Sequence, residues 1–107
     1  MFGKFFDTSA IDAFVQSVVD DLTKLIPPAQ MDGASKQVRK RREQADERIR
    51  RQAATLATTT PLNVYQKAKL GVRLQEALEA AGYADDFSKP FAYEVVSMVA
   101  TAASQKR

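Results

Sequence analysis

The densest chemistry in the sequence is a run of cations. Lys36, Arg39, Lys40, Arg41, Arg42, Arg48, Arg50 and Arg51 all fall within residues 36–51, against Glu43, Asp46 and Glu47. Basic groups at this density suit phosphate binding, because each phosphate neutralised releases counterions. Two features oppose a phosphate-binding face. Residues 39–42 are consecutive, so on a helix of about 3.6 residues per turn they point around most of the circumference. The acids are interleaved, and Asp46–Arg50 and Glu47–Arg51 are i,i+4 pairs in the favourable order. The segment therefore reads as a solvated or protein-facing helix. Nucleic-acid binding through Arg39, Lys40, Arg42 and Arg50 is the alternative. A further reading sets Asp12, Asp20 and Asp21 against these arginines across a subunit contact.

Groups for catalysis are scarce. The 107 residues include no Cys and no His. That removes disulfides, thiolate chemistry, Cys/His zinc sites and imidazole acid–base work. Carboxylate-bridged di-iron bundles use Glu-x-x-His pairs, which the chain cannot supply. Glu76 and Glu79 share a helix face, but no nucleophile or nucleotide-binding motif accompanies them. Asp20-Asp21 and Asp85-Asp86 are adjacent, so within a helix each pair diverges. Glu94 reads as part of a solvent stripe. The sequence therefore points to a protein that is not an enzyme, with no cofactor and no metal.

The elements that carry these residues are helices. The expected fold is an all-α, four-helix bundle-like domain spanning residues 1–107, with helices at about 9–26, 35–57, 61–81 and 89–104. In the first, Ile11, Phe14, Val15, Val18, Val19, Leu22, Leu25 and Ile26 form an apolar stripe at helical spacing. Ser9 with Asp12 resembles a capping box, Asp7 is an alternative cap, and Pro27-Pro28 end the helix. The second, near 35 Å long at 1.5 Å per residue, carries only Val38, Ala45, Ile49, Ala53 and Leu56. Its N-terminal half has little to bury and is expected to project. The third opens on a Thr60 cap with Pro61 at its first position. Its broad apolar face includes Leu62, Val64, Tyr65, Ala68, Leu70, Val72, Leu74 and Leu78. Gly82 reads as a left-handed stop, with Tyr83 against Leu78. Residues 84–88 are a loop, and Pro90 sits in the first turn of the fourth helix.

That fourth helix has one narrow polar stripe, Glu94, Ser97, Thr101 and Ser104, and is apolar elsewhere. A helix apolar over most of its circumference needs neighbours on several sides. The expected partner is a second copy, most simply in a twofold dimer, or another protein. The candidate interface is Phe91, Val95, Met98 and Val99, with the basic helix nearby. A helix-turn-helix across Gly82 fits poorly, since its connection looks too long and its second helix offers only Lys89.

The net charge of +3 comes from the basic segment, which alone carries +5. No apolar run reaches the roughly 18 residues of a spanning helix, and the start lacks signal-peptide and myristoylation patterns. The cytoplasm is the expected compartment. Phe2, Phe5 and Phe6 beside Lys4 read as a cover for the bundle end, or Phe5 or Phe6 as a staple onto the first helix, with a membrane or partner contact as the alternative. Residues 1–6 and 105–107 are expected to be loose. The function expected from the sequence is helical interaction or scaffolding, by self-association or through a protein partner.

Overall fold

Four helices follow from this patterning in the computed structural model, which describes residues 8–31, 33 and 35–105. They are α1 (Ser9–Leu25), α2 (Lys36–Thr59), α3 (Val64–Ala80) and α4 (Asp85–Gln105), with a 3₁₀ turn, Pro28–Gln30, between the first two. No strand occurs among the described residues. The phenylalanine cluster at the start, Asp7 as a cap, and the last two residues lie outside them.

The helices close into a ring. α1 packs on α2 and α3, and α4 packs on the same two, so α1 and α4 sit diagonally, as do α2 and α3. Short connections ordinarily make consecutive helices neighbours, as α1 with α2 and α3 with α4 are here. Residues 60–63 instead join the diagonal pair. One hydrophobic cluster fills the ring. Val18, Leu22 and Ile26 come from the α1 segment, Ala45, Ile49 and Ala53 from α2, Leu70, Leu74 and Leu78 from α3, and Val95 and Val99 from α4. Full burial of a Leu, Ile or Val side chain contributes about 1.5–3 kcal/mol. The alanines on α2 explain how a helix so poor in large side chains joins the core, since Ala45 and Ala53 are completely covered.

α2 runs to Thr59, two residues past the expected end, and the starts of the other three helices differ from expectation, each for a local reason. α1 is preceded by Thr8 without a side-chain cap bond, and Asp12 turns outward to accept from Arg73 Nη1 at 2.6 Å. Thr8 rather than Ser9 stands at the cap position. α3 starts at Val64, three residues later than expected, because Asn63 outcompetes Thr60. Asn63 Oδ1 accepts from Gln66 N at 2.8 Å, and Gln66 Oε1 accepts from Asn63 N at 3.0 Å, a reciprocal capping box. α4 starts at Asp85, so Pro90 lies inside the helix rather than in its first turn. Ser88 N donates to Ala84 O at 2.8 Å, and Asp85 and Asp86 sit where the helix dipole favours negative charge. The terminal stop of α3 forms as expected. Gly82 takes φ 106°. Tyr83 N donates to Leu78 O at 3.0 Å and Gly82 N to Glu79 O at 3.0 Å, the paired bonds of a Schellman turn.

Tyr83 then ties this corner to the far end of α1. Its hydroxyl donates to Ile26 O at 2.6 Å in a buried setting. Pro27 and Pro28 follow Ile26 and have no N–H to offer that carbonyl. The Tyr83 ring continues into an aromatic stack along α4, with Phe87 at 5.5 Å and Phe87 to Phe91 at 5.1 Å between centroids.

Candidate interaction surface

The ring of helices decides which residues remain open to solvent. Phe91, Val95, Met98 and Val99 are all buried within the single chain. α4 lies against both α2 and α3, and those neighbours take up the apolar arc that its sequence displays. An interface on these four side chains is therefore closed while the chain keeps this fold. The polar stripe is where the spacing put it, since Glu94, Ser97, Thr101 and Ser104 are exposed.

The surplus of apolar surface sits instead on the outer side of α3. Every fourth residue, Gln66, Leu70, Leu74 and Leu78, faces the core. Val64, Ala68 and Val72 then fall on the opposite side, with Val64 83% and Val72 53% exposed. Periodicity read them as core because α3 is apolar over a wider arc than α1 and α4 can cover. Beside them runs a groove of about 450 Å³ between α3 and α4. It is lined by Ala68, Gly71, Ala92 and Val96, together with Val72 and Tyr93, the latter 76% exposed. A Cβ on Gly71 would stand 3.4 Å from Val96 Cγ2, so the bare backbone there brings the two helices close. Lys67 and Lys89 are the charged residues of its lining.

The cations of α2 are spread out. Lys40 lines a groove toward α1 with Glu43, Glu47 and Arg48. Arg42 lies over the Phe87 ring, 5.7 Å from its centroid. Arg50 lines a third groove, between α2 and α4, with Glu94, Ser97 and Thr101. Arg39 is exposed one turn from the Ser35 cap. These four residues do not converge on one phosphate track. Of the two expected i,i+4 pairs, Glu47–Arg51 closes at 3.6 Å. The N-terminal half of α2 exposes nearly all its side chains, with Val38 half-buried.

The acids of α1 find partners in their own chain. Asp21 sits 3.7 Å from Arg48 and accepts from Gln52 Nε2, while Asp12 meets Arg73 of α3. These contacts answer the charge on α1 without a second subunit. Asp20 accepts from Gln16 at 2.8 Å.

The remaining candidates for chemistry are equally plain in their surroundings. Glu79 accepts from Gln75 Nε2 at 3.1 Å, an ordinary i,i+4 bond. Among the described residues no group of three acids is placed to hold a metal ion. The α3–α4 connection is shorter than the sequence suggested, which meets the length of a helix-turn-helix. Asp85 and Asp86 nevertheless occupy the helix start that would approach DNA, and like charge repels there. No described helix is long and apolar enough to cross a membrane. Set against known protein families, curated proteins and solved structures, the chain finds no match.

Proposed function

We propose that this chain is a non-catalytic helical interaction protein, working in the cytoplasm, whose docking face is the outer side of α3 with the adjoining groove on α4. The observation that carries the reading is the exposure of Val64, Val72 and Tyr93 around one apolar groove. Scattered apolar side chains are ordinary on a protein surface, whereas a contiguous apolar groove between two helices suits an apolar helix face laid into it. The groove lacks the cluster of converging polar groups that a small-molecule site uses to orient its ligand. The dispersal of Arg39, Lys40, Arg42 and Arg50 over several faces speaks against the nucleic-acid alternative. A salt titration with labelled DNA or RNA tests that alternative, since binding through many phosphates weakens steeply with salt.

The docking face is tested by placing a photo-crosslinking phenylalanine at position 93 in cells, with position 24, exposed in the last turn of α1, as control. An adduct of defined mass from position 93 and none from position 24 is expected. No adduct at 93, or equal labelling from both positions, overturns the reading.

A further inference from the structure

We infer that the occupant of this face is a second copy of the same chain, with α3 lying antiparallel on α3 of its mate and Val72 at the twofold axis. This deepens the proposed function and rests on it. The argument is charge complementarity along one helix. The N-terminal half of α3 holds Lys67 and Lys69, and the C-terminal half holds Glu76 and Glu79, while Arg73, next to Val72, is paired with Asp12 of α1 in the same chain. A helix with opposite charges at its two ends is its own complement when a copy is turned end for end.

The register follows from the same helix. Tyr65, Ala68, Val72, Gln75 and Glu79 recur at steps of three and four, a stripe on the side away from the core leucines. Centring the pair on Val72 places Tyr65 opposite Glu79 of the mate and Ala68 opposite Gln75 and Glu76 of the mate. Lys69 and Glu76 are seven residues apart, two turns, so they flank the stripe on the same side. Lys69 stands about 4.5 Å from the axis along the helix and Glu76 about 6 Å, by the rise of 1.5 Å per residue. A twofold operation therefore brings each Lys69 level with the mate's Glu76, twice over. Lys69 Nζ now lies 5.7 Å from the centre of the Tyr65 ring, a contact within one chain that its long stem can exchange for the mate's carboxylate.

Small and apolar residues occupy the middle of this contact. Ala68 and Val72 are exposed and uncharged. Val96 is level with Gly71, and Tyr93 lies three residues before it on the same wall of the groove. Both Tyr93 rings therefore approach the axis, where large aromatic side chains contribute most to an interface. An isologous contact of this kind repeats every favourable pair across the axis.

Sedimentation velocity of the intact, purified chain over a wide concentration series tests the arrangement. The expected result is a monomer–dimer equilibrium between 11.8 kDa and twice that mass. Val72→Asp should abolish the dimer with circular dichroism unchanged, because Val72 is exposed in the monomer. Lys69→Glu alone and Glu76→Lys alone should each weaken association roughly tenfold, as attraction turns to repulsion at two symmetric positions. The double charge swap, Lys69→Glu with Glu76→Lys, should restore it to within about threefold. A dimer indifferent to these substitutions, or a double swap no better than the singles, overturns the register. A chain that stays monomeric at every concentration overturns self-association altogether. If that monomer still yields a heavier adduct from position 93 in cells, the docking face stands and its occupant is a different protein.

Discussion

Replacing Tyr83 by Phe removes one oxygen from a buried corner, and the structure sets what that oxygen is worth. The hydroxyl donates at 2.6 Å to Ile26 O, and Tyr83 is 4% exposed. The two prolines that follow Ile26 leave this carbonyl without a nearby backbone donor. Loss of the hydroxyl therefore removes a hydrogen bond and strands a buried acceptor, a combination that costs about 2 kcal/mol. In a domain of this size the midpoint of thermal unfolding falls by roughly 10 °C. Urea denaturation followed by circular dichroism should show a lower midpoint with an unchanged slope. A second readout comes from alkaline pH. Burial desolvates the phenolate and raises the Tyr83 pKa above its ordinary 10.0, with a hydrogen bond to Thr23 pulling the other way. A raised folded-state pKa means that the native chain holds its proton more tightly than the unfolded chain. The stabilisation is complete below pH 10 and is lost as pH climbs through the folded value. Tyr83→Phe lacks that group, so its stability should decline less between pH 10 and pH 12 than that of the parent. A variant within about 0.5 kcal/mol of the parent at neutral pH, with the same alkaline slope, would refute the tie between Tyr83 and the end of α1.

Three other substitutions probe separate parts of the fold. Ser88 is wholly buried, and its Oγ finds no partner among the described residues; Ser88→Ala should leave stability unchanged or raise it by about 1 kcal/mol in the same urea assay. Gly82 holds φ 106°, where a Cβ is strained, so Gly82→Ala should lower stability by about 1 kcal/mol or more. Asn63→Ala breaks the capping box of α3 and should cost about 1 kcal/mol, with faster amide exchange confined to the first turn of that helix.

How far the sequence could be read varied with the kind of signal. The stripe of α1 and the stop at Gly82 depend on local spacing and backbone geometry, and both are written in a few residues. The start of α4 was harder. Pro at a first helical turn is the common reading, but Asp85 and Asp86 give a good helix start one turn earlier. Pro61 misled in the same way, because the side chain that satisfies the helix belongs to Asn63. The outer residues of α3 mark a deeper limit. An apolar arc shows that a helix needs cover, but the number and placement of its neighbours decide which part is covered. Val72 and Val95 are alike as letters, yet one is 53% exposed and the other is sealed between α2 and α3. The in-chain partners of Asp12 and Asp21 were likewise out of reach, since pairing between helices depends on the order in which they surround the core.

Because residues 60–63 link helices on opposite corners, the molecule is divided midway into two αα-hairpins. α1 with α2 and α3 with α4 are each neighbours in both sequence and space, and the seams between halves are α1–α3 and α2–α4. Neither half can seal its leucines and valines alone, so cutting the link would leave two peptides that need one another to fold. The chain thus has the makings of a split reporter, in which regained helicity on mixing marks the meeting of its halves.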